Sequence, residues 1–152
     1  MKNFVFLIAP ICLIIALNAC EKEGACDEYN VSASGANKSH NFGNNCMQCH
    51  YAEGNGEGCF VAAGSVSNAQ LTGNATGGQI EFYTQANGQG SLKYTLQIDN
   101  KGNFYSTESM DINGLFPAVK NANGTLYMST AISTGACNSC QDRKSTRLNS
   151  SH

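Results

Sequence analysis

Leu92-Lys93-Tyr94-Thr95-Leu96-Gln97-Ile98-Asp99 alternates large apolar and polar side chains without a break. Successive side chains of an extended strand point to opposite faces, so Leu92, Tyr94, Leu96 and Ile98 share one face and the polar residues take the other. On a helix the same residues would scatter around the axis and define no apolar stripe. Upstream, Gln79 to Thr84 repeats the alternation with Ile80 and Phe82 on one face, and Asn87-Gly88 between the two runs signals a hairpin turn. Downstream, Asp99-Asn100-Lys101-Gly102-Asn103 turns the chain into Phe104-Tyr105-Ser106-Thr107. Pro117 to Lys120 and Leu126 to Ile132 form a further pair around Asn123-Gly124, with Leu126, Met128, Thr130 and Ile132 expected on one face. With the β-rich run Phe60 to Val66, the pattern predicts six short strands in a mainly β fold, a small antiparallel sandwich spanning residues 59–136, and no helix beyond about two turns.

The composition sets bounds on function. A chain of 152 residues is one domain by size. Charged residues make up only 13%, which excludes a charged disordered chain or a coiled coil. The net charge of −2 carries no basic excess, so nucleic acid is not the expected partner. Eight cysteines are too many to be incidental and need sorting one by one.

Residues 1–19 read as an export signal. Lys2 supplies a positive start, and the apolar run Phe4 to Leu17 is shorter than the roughly 20 residues that span a bilayer. The run contains Cys12 and ends Leu17-Asn18-Ala19-Cys20, which resembles a bacterial lipobox, although Asn18 departs from it. Cys20 is then the lipidated first residue of the mature chain; the alternative is an ordinary cleaved signal with Cys20 coincidental. The expected location is a bacterial membrane surface, facing the periplasm or the cell exterior, with the lipid as anchor. Residues 20–39 are polar and aperiodic and are expected to be a flexible tether.

Cys46-Met47-Gln48-Cys49-His50 is the strongest chemical signal in the chain. It is the C-x-x-C-H spacing that attaches a c-type haem. On one helical turn Cys46, Cys49 and His50 share a face, so both thiols reach the porphyrin while His50 reaches the iron. Export is consistent with this chemistry, because attachment takes place outside the cytoplasm. Residues 40–58 are therefore the expected haem c segment. Cys137 and Cys140 repeat the spacing, with Gln141 where a haem motif has His. The alternatives for this second pair are a redox-active pair or a four-cysteine zinc site with Cys46 and Cys49. Zinc would leave His50 without a role and is less expected in an oxidising compartment. Cys26 and Cys59 remain; they suggest a disulfide, against the alternative of two unpaired thiols.

Residues 142–152, Asp-Arg-Lys-Ser-Thr-Arg-Leu-Asn-Ser-Ser-His, match the translation of a common short-read sequencing adapter and are read as an artefactual tail. The junction then falls in codon 141, whose first two bases encode either His or Gln. Residues 137–141 are accordingly a truncated second haem motif. Without the two ends, residues 20–141 carry five lysines against ten carboxylates, a net charge of −5.

Gly64-Ser65-Val66, the Gly-rich stretch after it, Ile80-Glu81-Phe82 and Asp99-Asn100-Lys101-Gly102-Asn103-Phe104-Tyr105 together resemble the carboxypeptidase-regulatory-like (Ig-like) β-sandwich. Bracketed by C-x-x-C-H and Cys137-Asn138-Ser139-Cys140, the chain is similar over residues 40–141 to bacterial c-type cytochrome lipoproteins in which such a sandwich lies between two haem motifs. Gln141 departs from that pattern. The resemblance implies electron transfer to and from a redox partner protein, not hydrolysis, and no Ser-His-Asp set or supported carboxylate pair is present. The sandwich is expected to hold two haem sites apart as a rigid spacer. His50 is the proximal iron ligand in this reading. His40 is the expected distal ligand, with Met110 and Met128 as alternatives and Met47 badly aimed. The competing function is a structural or partner-binding sandwich whose cysteines form disulfides or bind zinc.

The Gln141 reading has a direct outcome. The chain as written is expected to carry one haem, on Cys46 and Cys49, and Gln141→His followed by the natural continuation is expected to carry two. Intact mass spectrometry counts them, and equal counts would contradict the two-haem reading.

Overall fold

The computed structural model describes residues 26–68 and 70–140. The signal run, Cys20, Gln141 and the 142–152 segment lie outside the described residues, as does the side chain of Cys140. Within them the chain is mainly β: β1 (Ala62–Ser65), β2 (Gln79–Tyr83), β3 (Leu92–Gln97), β4 (Asn103–Ser106), β5 (Phe116–Asn121) and β6 (Gly124–Tyr127), followed by the single helical turn α1 (Cys137–Cys140). β1 and β4 form one antiparallel sheet, and β3-β2-β5-β6 form a second.

The alternation that predicts β3 also sets its register. Leu96 pairs with Ile80 and Tyr94 with Phe82, so the apolar sides of β2 and β3 coincide. Ile80, Phe82, Leu96 and Ile98 of the larger sheet meet Ala62 and Phe104 of the smaller one, and Met110, Ile112, Leu115 and Ile132 close the core. Phe82 is fully buried, a burial worth about 2–3 kcal/mol. The outer face of the larger sheet carries one buried charge, Glu81. Its carboxylate accepts hydrogen bonds from Gln79 (2.7 Å), Tyr83 (2.7 Å) and Lys120 (3.1 Å). Burial favours the protonated acid, but these donors outweigh it and hold Glu81 below the usual carboxylate range, while the bond to Glu81 pushes the Tyr83 phenol up to about 12.

Two turns and one strand differ in detail from expectation. Asn87 and Gly88 both have positive φ (56° and 71°), as a type I′ turn requires, but they cap a longer connection in which Thr84 N–H still bonds Ser91. Asn121 pairs directly with Gly124, so the last hairpin turns on Ala122 and Asn123, not on Asn123 and Gly124. The expected strand Leu126 to Ile132 ends at Tyr127, and Leu126 and Met128 are exposed at the sheet edge. The chain then bends away from β5 and returns Ile132 to the core, where its N–H bonds Leu115 O at 2.9 Å.

The larger correction concerns the N-terminal arm. Residues 26–39, expected as part of a flexible tether, are bound along β4. Val31 bridges Ser106, Ser32 N–H donates to Tyr105 O (2.9 Å), and the Ser32 hydroxyl accepts from Tyr105 N–H (3.0 Å) and donates to Gln97 O (2.7 Å). A polar, aperiodic segment can pair as an edge strand because the ladder uses backbone groups, here helped by the Ser32 hydroxyl. On the other edge of the small sheet Ala136 bridges Ala63 in parallel. The small sheet therefore runs arm, β4, β1, Ala136, and neither β1 nor β4 is left as a bare edge.

Cys26 and Cys59 are joined in a disulfide, with 4.5 Å between their Cα atoms, across 33 residues. Replacing both by Ser is expected to lower the unfolding free energy by about 3–4 kcal/mol in the chain-entropy picture. A urea midpoint unchanged from the parent would contradict a structural role for this bond.

Candidate functional site

The small sheet has two buried faces. Alternation sends Ala62 and Phe104 into the core and Ala63 and Tyr105 to the opposite side, where they meet Phe60, Cys46 and Met47. The second face forms the wall of a cleft of about 340 Å³, within the range of small-molecule and cofactor sites. His40, Cys46, Cys49, His50, Phe60 and Tyr105 are among the residues that line it.

Cys46–Gln48 is a single 3₁₀ turn. The Asn45 side chain caps it by accepting from Met47 N–H (3.2 Å), and His50 N–H bonds Cys46 O (3.1 Å). The turn brings Cys46, Cys49 and His50 to the same cleft. Burial pushes the Cys46 thiol up from its ordinary value. Cys49 is exposed.

His50 is held from two directions. Its Nδ1 lies 2.8 Å from Glu57 O. A carbonyl only accepts, so Nδ1 carries the proton and Nε2 of the neutral ring is left as the electron-pair donor. The ring also stacks on Phe60 (4.1 Å between centroids, 11° between planes), and Phe60 stacks in turn on Tyr105 (5.0 Å, 22°). Burial, with Asp99 nearby, raises the Tyr105 phenol above its usual range. The segment after the motif folds back on it through Gly56 N–H to Cys49 O (2.8 Å) and Phe60 N–H to His50 O (3.1 Å). Glycine is required for that approach. A Cβ at Gly56 would lie 2.6 Å from His50 Nδ1, and one at Gly54 would collide with Cys49 O.

His40 sits across the cleft, its ring centroid 5.9 Å from that of His50. Two imidazoles on opposite sides of one metal, each bonded through a nitrogen about 2 Å away, have ring centres about 6 Å apart. Met110 is buried in the core on the other face of the small sheet, and Met128 is at the far edge of the larger sheet, so neither faces His50. Met47 packs against the sheet.

The second motif does not lie at the far end of the sandwich. α1 adjoins β1, and Asn138 Nδ2 donates to Asn44 O at 2.7 Å, two residues before Cys46. The expected spacer arrangement is thus replaced by two neighbouring turns, because Ala136 pairs with Ala63 and carries Cys137 back to the strand that walls the cleft. Among the described residues no group of three or more His, Cys, Asp or Glu is placed to hold a metal ion. Sequence reading did not single out Gly54, Gly56, Glu57, Phe60, Tyr105 or Asn138. The alternate glycines at 54, 56 and 58 were the available signal that backbone closes tightly on the motif.

No protein-family model, curated protein or solved structure matches the chain.

Gly56→Ala is expected to displace the His50 ring and break its bond to Glu57 O. In the haem-free protein the His50 Nδ1–H resonance should be lost and stability should fall by about 1–3 kcal/mol. A retained Nδ1–H signal would contradict the packing described.

Proposed function

We propose that the chain is an electron-transfer c-type cytochrome, exported and lipid-anchored through Cys20, with haem c joined covalently to Cys46 and Cys49. The observation that carries this reading is the held state of His50. Its Nδ1–H is fixed on Glu57 O, which leaves Nε2 as the ligand nitrogen of a side chain that lines one cleft with both motif cysteines. Metal-bound histidines are oriented by this kind of bond to the second ring nitrogen. His40 would supply a second nitrogen to the iron, a role supported by its 5.9 Å ring separation from His50.

Haem c supplies a one-electron couple at the iron. The chain's own part is to bind, orient and shield. Cys46 and Cys49 provide the two thiols, the Phe60–Tyr105 column backs the His50 ring, and the small sheet excludes water from one side of the cleft. The partner is a redox protein that docks at the exposed side, near Cys49. With Gln141→His, Cys137 and Cys140 would complete a second haem motif. The sandwich is of the Ig-like, carboxypeptidase-regulatory-like kind, and it acts as scaffold, with no catalytic group of its own.

Expression with a haem-attachment system should give a pyridine haemochrome band that stays with the polypeptide in acid acetone. Haem released to the organic phase, or no band at all, would overturn the proposal and leave a partner-binding sandwich. His40→Ala should convert a low-spin spectrum to high-spin. An unchanged spectrum would remove His40 from the iron.

A further inference from the structure

A buried polar cluster joins three separate parts of the cleft, and its centre is Ser65 on β1. The Ser65 hydroxyl donates to Asn103 Oδ1 (2.6 Å) and accepts from Gly43 N–H (2.9 Å) and Asn138 Nδ2 (3.1 Å). Its one proton and both lone pairs are thereby used. Ser65 N–H donates to Asn138 Oδ1 (2.9 Å), and Asn138 Nδ2 also reaches Asn44 O (2.7 Å). Asn103, 1% exposed, donates through Nδ2 to Ser39 Oγ (3.0 Å) and His40 O (3.2 Å).

These bonds run in two directions from one side chain. From Asn138 through Asn44 they reach the chain that enters Cys46. From Asn138 through Ser65 and Asn103 they reach the backbone of His40. The segment 39–44 between those points has little else to hold it: Asn41 and Gly43 have positive φ, and Asn41, Phe42, Gly43 and Asn44 are all exposed. An exposed loop anchored at few points moves with its anchors. Asn138 lies inside the second C-x-x-C turn, 94 residues from Asn44.

We propose that Asn138 is a positioning residue for the first site: the second C-x-x-C turn, through Asn138, fixes both the approach to Cys46 and the placement of His40. The inference rests on the haem reading above for its consequence at the iron. Its geometric half does not. Formation or distortion of the second turn, as on haem attachment at Cys137 and Cys140, is then felt at the sixth ligand of the first haem. The two motifs are coupled by hydrogen bonds as well as by proximity.

The test compares the full chain with Asn138→Ala and Asn138→Asp, with and without haem. In the haem-free protein the substitution to Ala should reduce hydrogen-exchange protection of the Gly43 N–H about tenfold or more. With haem attached, it should raise the affinity of added imidazole for the iron by about tenfold, because His40 is held less firmly. Asn138→Asp keeps the acceptor for Ser65 N–H but loses the donor to Asn44 O, and should fall between. It also serves where the Ala variant does not fold. A merely structural role would lower the thermal midpoint and leave imidazole affinity unchanged. Unchanged Gly43 protection overturns the proposal whether or not haem binds. Reduced protection with unchanged imidazole affinity confines Asn138 to the loop and overturns its role at the iron. Absence of covalent haem in the parent chain overturns the haem reading, and with it the consequence at the iron, while Gly43 protection still decides the geometric half.

Discussion

β1 and β4 have no solvent face, and most of the molecule follows from that constraint. Every residue of both four-residue strands is buried. One face has the larger sheet against it, the other the cleft, and each edge is covered by another piece of chain. Such a sheet tolerates polar residues only where their hydrogen bonds are complete, since an unpaired buried group costs about 1–3 kcal/mol. Ser65, Asn103 and Ser106 all meet that condition. Ser106 accepts Glu108 N–H through its hydroxyl and Val61 N–H through its carbonyl, and the other two join the arm, the His40 segment and α1. The same polar residues that make the small sheet costly to bury are therefore the ones that gather the cleft around it.

This explains why a short sequence motif can be held rigidly by so little helix. One 3₁₀ turn has few bonds of its own, and isolated turns of that length are unstable in water. Here the turn is fixed from outside: Cys46 and Met47 pack on Ala63 and Tyr105, and His50 is clamped between Phe60 and the Glu57 carbonyl. The disulfide closes the loop that contains all of these groups except Phe60 and Ala63, which lie just beyond it, and Tyr105 on β4.

The larger sheet was legible because alternation at Ile80, Phe82, Tyr94, Leu96 and Ile98 reflects one buried face, and a period of two reports a single face well. β1 and β4 were harder. With both faces buried, Ala62-Ala63-Gly64-Ser65 has no alternation to read, and only the neighbouring runs marked it as strand. The arm was misread for a related reason. Asn30, Val31 and Ser32 join β4 through backbone groups and one serine hydroxyl, which leave no apolar period in the sequence. For the site, Cys46, Cys49, His50 and His40 stand out in the sequence by residue type, and the fold brings all four to one cleft. Asn138 does not stand out, since its role depends on Ala136 pairing with Ala63, a long-range contact invisible at the level of spacing. Met110 and Met128 were candidates by chemistry alone, and the face each occupies removes them.

Four cysteines lie between residues 26 and 59, and under oxidising conditions several pairings compete. The fold biases that competition. The arm pairs with one edge of β4 and Val61 with the other, so Cys26 and Cys59 arrive with Cα atoms 4.5 Å apart, inside the range a disulfide needs. Thiol–disulfide exchange proceeds through the thiolate, and burial holds the Cys46 thiol above its ordinary pKa, so Cys46 is a slow participant. Pairing at 26–59 is thus favoured by proximity, while Cys46 is kept back by its environment. The two edges of β4 that place Cys26 beside Cys59 belong to the same small sheet whose other face packs on Cys46.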